Sequence, residues 1–300
     1  MRVLITGANG RLGRRLIQRL ESTASVRAVV RSDAAARSLE SLTREGTFDV
    51  RVLDYTDAAA LAAAASGCTH AVHLVGIIKE SSTSAFVDAH ERSTIALAAA
   101  AAKVGIERVL YLSILGAAPT HSNACLASKG RAEALLLAGA VPSLVLRVPM
   151  VLGEGDPATR ALAARASSRV AVLVRGDSLE QPIYANDVVE ALVHALAADV
   201  CGALDLAGPV SLPRRALVQR AARVLGTRPK TLSLPLGLGL AAAWLLEQIS
   251  RSPPLSRAML GVLDHDDAID PTEACRRLRV ELTPLDEMLA QCLEPIKRGA

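Results

Sequence analysis

Short apolar runs alternate with alanine- and leucine-rich segments of helical periodicity through the first two thirds of the chain. The apolar runs predict six strands, at residues 3–5, 26–30, 50–53, 71–75, 109–112 and 143–147. Helices are predicted between several of them, at residues 58–65, 93–104 and 129–137. Strands that are apolar along both faces lie buried between helices, so this alternation predicts an α/β fold with a doubly wound parallel sheet.

After about residue 150 this rhythm changes. A loop at residues 153–157 precedes a predicted helix at 188–196, a short strand at 203–206 and a second helix at 212–225. The tail from Pro229 onward is predicted to be helical, with a break at Pro253 and Pro254. We therefore predict a core domain over residues 1–150, to which residues 181–200 return, and a smaller C-terminal α/β lobe over residues 151–300 that folds over the crevice of the core.

The first strand leads directly into a turn that carries Gly7, Gly10 and Gly13, and a helical pattern begins at once. In such a turn the first glycine permits a sharp bend, the second lets the backbone approach phosphates, and the third lets the helix pack close to the strand. The N-terminus of the helix can then bind a pyrophosphate. The position of this turn, after the first strand of an α/β chain, favours a Rossmann dinucleotide site over an ordinary strand–helix turn.

The residues after the second and third strands indicate which nicotinamide dinucleotide binds. Arg31 and Ser32 end the second strand, where an arginine accommodates a 2′-phosphate and an acidic residue would bind a free 2′-hydroxyl. Together with Arg11 in the glycine turn they favour NADP(H), while Asp33 keeps NAD(H) open. Asp54, after the third strand, is placed either to meet the adenine amino group or to cap the following helix.

The composition argues against several other classes of protein. Hydrophobic residues make up 51% of the chain and aromatic residues only 2%, and the net charge of +4 comes without a basic block, so nucleic-acid binding is not expected. The five cysteines lie far apart, which predicts neither a metal site nor disulfides. The first residues form a core strand rather than a signal peptide, and the apolar stretch 232–246 is too short and too interrupted to span a bilayer. We expect a cytoplasmic protein that is not integral to a membrane.

Several segments together resemble the extended and atypical short-chain dehydrogenase/reductase superfamily. They are residues 6–13, 53–54, 73–76, 111–113, 146–149, 153, 181–187 and 206–209. Residues 73–80 and 186–190 resemble most the branch that includes the nucleotide-binding accessory subunit of respiratory complex I and its bacterial relatives. Beyond the residues already discussed, the resemblance implies cofactor contacts by Asn9, Leu12, Val75, Gly76, Lys129 and Pro149.

The catalytic residues depart from those of this superfamily, whose active members carry Ser, Tyr and Lys, with the tyrosine four residues before the lysine as the acid/base. Ser113 and Lys129 match, but Cys125 occupies the tyrosine position, and His90 stands where an asparagine is common. A thiol is shorter than a phenol and donates hydrogen bonds poorly, so the usual route of carbonyl reduction is impaired. Cys125 is either a thiolate that Lys129 stabilises or a small buried apolar residue.

The other candidate catalytic residues each have two interpretations. Lys129 either holds the cofactor ribose or, with a pKa lowered by burial, acts alone as acid or base, as lysine is thought to do in the isoflavone-reductase-like relatives. Ser113 either orients a carbonyl or ends the fifth strand with its hydroxyl bonded to the backbone. His73 and His90 are either proton donors or structural residues.

Three functions fit these residues. The impaired triad favours an accessory, assembly or redox-sensing protein that binds NADP(H) with little turnover. The alternative is an NADPH-dependent reductase that uses Lys129 on a quinone-like or conjugated small molecule, because such substrates need less acid catalysis than ketones. A sugar-nucleotide epimerase or dehydratase matches the architecture but needs the tyrosine, so it fits least.

The expected partner is correspondingly a small-molecule substrate or a protein, including a membrane-associated complex. The segment 232–257 is apolar and flanked by arginine, so it could dock on such a partner or on the inner face of a membrane. The alternative is that Leu234, Leu238, Leu245 and Leu246 seal the smaller lobe over the core domain.

Overall fold

A computed structural model describes residues 1–42, 48–249, 256–262 and 265–298 of the chain. The strands are β1 (Arg2–Thr6), β2 (Ser25–Val30), β3 (Phe48–Val52), β4 (His70–His73), β5 (Arg108–Ile114), β6 (Ser143–Val148), β7 (Val151–Leu152), β8 (Val170–Val174), β9 (Leu179–Glu180), β10 (Ile183–Tyr184), β11 (Gly202–Asp205), β12 (Leu212–Pro213) and β13 (Lys230–Leu234). The α-helices are α1 (Arg11–Leu20), α2 (Asp33–Arg37), α3 (Ala58–Ala65), α4 (Ser93–Val104), α5 (Ala124–Leu137), α6 (Pro157–Ser167), α7 (Ala185–Ala197), α8 (Arg214–Leu225), α9 (Leu236–Ile249), α10 (Arg257–Val262), α11 (Thr272–Leu278) and α12 (Leu285–Arg298).

The central sheet has seven strands in the order β11-β6-β5-β4-β1-β2-β3. Its strands run parallel, and β1 pairs with β2 on one side and with β4 on the other. The chain proceeds outward from β1 to β3 and then starts again at β4 in the opposite direction. In sheets of this kind the ligand binds at that reversal, outside the carboxyl ends of the strands. The predicted doubly wound α/β fold is confirmed.

Small aliphatic side chains fill the core around the sheet. Helices α3 and α4 contribute mainly alanine, which lets them pack closely against each other. Tyr111 on β5 is among the largest of the fully buried side chains. Because a fully buried valine or leucine stabilises the fold by roughly 1.5–3 kcal/mol, a core of this composition needs few aromatic residues.

The chain divides into two compact units, each built from three segments. The first unit comprises Met1–Arg147, Val189–Leu204 and Arg277–Arg279 and contains the central sheet. The second unit comprises Val148–Val188, Asp205–Arg276 and Val280–Ala300. In the second unit α6, α8 and α12 pack around a core of leucine and alanine side chains. Short sheets there pair β7 with β10, β9 with β12, and β8 with β13.

Several elements of the second unit differ from the sequence predictions. Helix α6 and strand β8 lie where the pattern predicts no element. The tail begins with a strand rather than a helix, because β13 pairs in parallel with β8 over its whole length. Helix α8 starts at Arg214, since the two residues before it form β12 and pair with β9. The predicted break at Pro253 and Pro254 lies outside the described residues.

Two polar residues of the segment 181–187 stabilise loops of the second unit. The Gln181 carboxamide donates to the carbonyls of Gly208 at 2.7 Å and Ile269 at 2.8 Å, and it accepts from the Ile269 amide at 2.8 Å. The Asp187 carboxylate accepts from the amide and the hydroxyl of Thr283 at 2.9 and 2.7 Å. Within this unit these two side chains therefore have a structural role.

Helix α9 is apolar but mostly exposed. Of its residues, Gly239 and Ala243 are buried, whereas Leu238 and Leu245 are 59% and 55% exposed. The prediction that four leucines are buried as a seal is therefore wrong for Leu238 and Leu245, whereas Leu234 and Leu246 are half-buried. The buried stripe of the helix consists of smaller residues. None of the helices that the structure describes is long and apolar enough to cross a membrane.

Candidate functional site

The glycine turn between β1 and α1 brings backbone segments too close together for larger residues. Gly7 has a φ of +72°, and a Cβ on it would lie 3.0 Å from the carbonyl carbon of Leu74 and 3.1 Å from the amide nitrogen of Val75. A Cβ on Gly13 would lie 2.5 Å from the carbonyl oxygen of Ala8. The roles predicted for the first and third glycines, a sharp bend and a close approach of helix to strand, agree with this geometry.

The N-terminus of α1 has the features of an anion site. Gly10 is the N-cap residue and has no side chain to bond the first amides of the helix, and the first turn contains no acidic residue. The first backbone N–H groups of a helix have no partner within the helix and carry partial positive charge. The residues present therefore fit the pyrophosphate of a dinucleotide.

The turn lies at the edge of a cleft of ≈ 610 Å³ in the first unit. The cleft is lined by seven of the predicted cofactor residues, namely Gly7, Asn9, Gly10, Arg31, Asp54, Val75 and Gly76. It is also lined by residues that the sequence reasoning did not single out, namely Tyr55, Thr56, Leu74, Ile77, Thr83, Ser84, Asp88 and Ala89. The predicted residues Arg11, Leu12, Gly13 and Ser32 lie within three residues of a lining residue in the chain but are not part of the wall, and Pro149 belongs to the second unit.

The two strand ends that face the adenosine half of such a site differ in their local contacts. The Asp54 carboxylate accepts from the amide and the hydroxyl of Thr56 at 2.8 and 2.9 Å, and these bonds lower its pKa. Asp57, not Asp54, caps α3, so the capping interpretation of Asp54 is wrong. Ser32 is the N-cap of α2, and its hydroxyl accepts from the Ala35 amide at 3.2 Å. Arg31, at the end of β2, places a cationic side chain on the wall of the cleft.

Lys129 on α5 is buried directly behind the wall of the cleft. Its ammonium donates to the carbonyl of Leu112 at 2.9 Å and lies 4.5 Å from the centre of the Tyr111 ring. A Cβ on Gly76 would lie 3.0 Å from the Lys129 Nζ, so the missing side chain of Gly76 is what leaves room for the ammonium. Burial lowers the pKa of Lys129 to about 8, although Cys125 and Glu133 act in the opposite direction.

Cys125 lies in the first turn of α5 and is fully buried. Asn123 caps this helix by accepting from the Cys125 amide at 3.0 Å, and the thiol donates to the carbonyl of Ile77 at 3.5 Å. Burial raises the pKa of the thiol to about 11 and outweighs the opposing effect of Lys129. The side chain is therefore a neutral thiol at physiological pH, as in the buried apolar interpretation.

Ser113 belongs to a buried polar chain that the sequence reasoning missed. Its hydroxyl donates to the Glu133 carboxylate, which is itself paired with Arg147 at 2.6 Å. Strand β5 continues to Ile114, so the interpretation that Ser113 ends the strand with a backbone hydrogen bond is wrong. The spacing of four between Lys129 and Glu133, which places both on one face of α5, was the signal that could have identified Glu133.

The two histidines near this position are held by neighbouring groups. His90 lies in a π-helical turn, Val87–Arg92, and its Nε2 lies 3.1 Å from the amide of Ile77, while its Nδ1 is buried without a hydrogen bond to any described residue. His73 lies between the hydroxyls of Thr6 at 2.6 Å and Ser93 at 3.3 Å. Burial, reinforced by Lys129, lowers the pKa of each histidine to about 3, so both are neutral.

Comparison with known proteins agrees with this geometry. The model of a family described as NAD(P)H-binding matches residues 7–199. The ceramide reductase of Caulobacter vibrioides is 30% identical over 241 residues, which cover 78% of this chain and 73% of that protein. The crystal structure of gox2253 matches with a TM-score of 0.78 at 19% identity, over 99% of this chain and 98% of the other. UDP-glucuronic acid 4-epimerase from Bacillus cereus in complex with NAD matches with a TM-score of 0.73 at 17% identity, over 99% of each chain. At such identities the solved structures establish the fold alone.

Proposed function

This chain belongs to the NAD(P)H-binding family, and on that basis we propose that it is a reductase of a lipid ketone with Lys129 as the proton donor. The observation that carries the proposal is the buried Lys129 ammonium, which lies directly behind Gly76 on the wall of the cleft. Without a tyrosine, a reductase of this family needs another acid, and Lys129 is a cation whose pKa has been moved close to physiological pH.

The cofactor we propose is NADPH. The amides at the start of α1 would hold its pyrophosphate, and Asp54 would accept from the adenine amino group. Arg31 on the cleft wall would bind the 2′-phosphate, because a guanidinium presents a charged fork that matches phosphate oxygens. When bound, the reduced nicotinamide supplies a hydride to the carbonyl carbon of the substrate.

Lys129 completes the reduction with a proton. As the carbonyl carbon gains the hydride, the electron pair of the C=O π bond moves to oxygen, and the Lys129 ammonium gives a proton to that oxygen to form the alcohol. The neutral amine left behind regains its proton from water. A pKa of about 8 keeps most of the side chain protonated at pH 7 and makes it a stronger acid than an ordinary lysine.

The relative at 30% identity, a ceramide reductase, supports the substrate class that we propose. A ceramide is a long-chain amino alcohol with an acyl group on nitrogen. We propose that this chain reduces a ketone on a lipid of that class. An aliphatic lipid suits a chain with 51% hydrophobic and 2% aromatic residues better than a flat aromatic substrate does.

A protein that holds the nucleotide without turnover is the second candidate. The observation that favours it is Cys125, whose buried thiol has a pKa of about 11 and cannot relay protons at physiological pH. In this case Lys129 would serve only as a ligand of the cofactor ribose.

The decisive experiment follows NADPH oxidation by the purified chain with a long-chain N-acyl amino ketone in mixed micelles. We expect turnover that depends on the lipid, and a loss of at least about a hundredfold in kcat/KM in Lys129→Met, as for removal of a general acid. Lys103→Met, which changes an exposed lysine on α4, is the matched control and should retain the activity. Tight binding of NADPH without oxidation in the presence of the lipid would refute the reductase and leave the second candidate.

A further inference from the structure

The second unit carries a broad apolar surface that is open to water. The residues that define this apolar surface are Val170, Val172, Leu232, Leu238, Trp244, Leu245 and Ile249. Each of them is at least 48% exposed. Isolated exposed apolar residues are ordinary, but a contiguous group of large ones marks a contact site.

The outer face of the pair β8 and β13 forms one half of this surface. Ala171 and Leu173 are buried in the core of the unit, so the alternation of side chains along β8 directs Val170 and Val172 to the opposite side. Leu232 is the register partner of Val172 on β13 and is exposed beside it. The strand pair therefore covers the core with one face and presents valine and leucine on the other.

Helix α9 extends the same face. Val174 shares a side of β8 with Val170 and Val172, and a Cβ on Gly239 would lie 2.8 Å from a Val174 methyl group. The glycine thus lets the backbone of α9 rest directly on the strand pair. Residues 236–246 of the helix contain no charged side chain, although a helix at a protein surface normally has a polar outer face.

The charged groups around the apolar surface are predominantly basic. Arg169 precedes β8, Arg228 precedes β13, and Lys230 begins β13; all three are exposed, and none of them forms an ion pair with a described residue. The amide of Lys230 donates to the carbonyl of Arg169 at 3.0 Å, so these two residues are neighbours. The acidic side chains of the same region are neutralised within three ion pairs, Asp177 with Arg215, Glu247 with Arg257, and Asp266 with Arg175.

We propose that the apolar surface docks on a lipid bilayer with anionic headgroups. Trp244 and the leucines of α9 would enter the boundary between headgroups and acyl chains, and Arg169, Arg228 and Lys230 would bind headgroup phosphates. An apolar face combined with unpaired basic groups is the pair of signals that holds a protein on a membrane surface. The inference rests on the proposed function, since a lipid ketone stays in its bilayer and the enzyme must reach it there.

Vesicle binding tests this directly, because Trp244 is the only tryptophan in the sequence and its emission reports on this surface alone. We expect a blue shift of the emission and co-sedimentation with vesicles of equal parts phosphatidylcholine and phosphatidylglycerol. The double variant Leu238→Ser/Leu245→Ser should lower partitioning at least about tenfold, since two large apolar side chains leave the interface. Ile95→Ser, which removes an exposed apolar residue of the first unit, should bind as the unmodified chain does.

The basic groups give an independent readout. Arg228→Glu/Lys230→Glu should abolish the preference for anionic over purely zwitterionic vesicles. Unshifted emission with no sedimentation on anionic vesicles overturns the proposal. A dimer in sedimentation velocity that Leu238→Ser/Leu245→Ser dissociates also overturns it, because the surface is then an interface between two copies of the chain.

This test separates docking from catalysis. Vesicle binding without ketone reduction would refute the proposed function and leave the docking surface in place. Reduction of a short-chain, water-soluble analogue without vesicle binding would refute the docking surface and leave the proposed function in place. If both proposals hold, Leu238→Ser/Leu245→Ser should reduce the short-chain analogue normally and lose at least about tenfold in turnover of the long-chain lipid in vesicles.

Discussion

Replacing Lys129 with methionine should stabilise the protein at pH 7 while it removes the proton donor. The side chain is buried as an ammonium, and burial moves its pKa from 10.5 to about 8. This lowering of the pKa means that burial in the folded protein disfavours the charged form of Lys129 by about 3 kcal/mol. Methionine has a similar shape and no charge, but it loses the hydrogen bond to the Leu112 carbonyl, worth about 1 kcal/mol. The expected net gain is about 2 kcal/mol.

The pH dependence identifies the cause of this gain. Because the folded pKa of Lys129 is lowered, the unfolded chain binds more protons between pH 8 and pH 10.5, so the stability of the unmodified protein rises with pH across that window. Below about pH 8 Lys129 is charged in both the folded and the unfolded chain, so the full free-energy cost of burying its charge applies. The advantage of Lys129→Met should therefore be greatest at pH 7 and fall by about 2 kcal/mol at pH ~9.5.

Urea unfolding followed by circular dichroism at the two pH values measures both quantities. Lys103→Met removes an exposed lysine from α4 and should change the free energy of unfolding by less than about 0.5 kcal/mol at either pH. A Lys129→Met variant that is less stable than the unmodified chain at pH 7 would refute the reasoning. So would a difference between the two chains that does not shrink as the pH rises.

Three further predictions concern the cleft. Gly7 and Gly105 both have positive φ, +72° and +76°, and Gly105→Ala should cost about 1–2 kcal/mol of stability in urea unfolding. Gly7→Ala should cost more, because its Cβ would also lie 3.0 Å from the backbone of Leu74. Only Gly7→Ala should weaken NADPH binding in calorimetry, because Gly105 does not line the cleft. Arg31→Ala should weaken the binding of NADPH about tenfold and leave the binding of NADH unchanged. Arg37→Ala, which removes an exposed arginine of α2, should alter the binding of neither coenzyme. Equal losses of affinity for both coenzymes in Arg31→Ala would exclude recognition of the 2′-phosphate by this residue. The kcat/KM for ketone reduction should fall as the pH rises through about 8, where Lys129 loses its proton, and a profile flat from pH 6 to pH 9 would argue against lysine as the acid.

Local patterns predicted the first unit well. The apolar runs and the glycine turn indicate β1, α1 and the strands up to β6, because most of these strands are buried on both faces and therefore appear as continuous apolar runs. The edge strand β3 is the exception, since none of its residues is fully buried. The resemblance to the short-chain dehydrogenase/reductase superfamily, based on motifs spread along the chain, is consistent with the match to the NAD(P)H-binding family and with the fold. The predicted strand ends lie within two residues of the observed ones, since a strand ends where its pairing stops.

Contacts distant in sequence account for what was missed. Strand β13 lies within a leucine-rich stretch that reads as helix, and it becomes a strand by pairing with β8, whose register partners are 60 residues away. The exposure of Leu238 and Leu245 depends on Gly239 and Ala243 forming the buried stripe of α9, which the apolar sequence does not distinguish. The π-helical turn that places His90 is likewise a property of the folded backbone.

The interleaving of the two units has a practical consequence for anyone who wishes to dissect the molecule. The polypeptide leaves the first unit after Arg147 and re-enters it at Val189 and again at Arg277. Terminating the gene near residue 150 would delete β11 and thereby strip the last strand from one side of the sheet. No single cleavage point yields either half intact, so a fragment approach requires circular permutation or co-expression of complementary pieces.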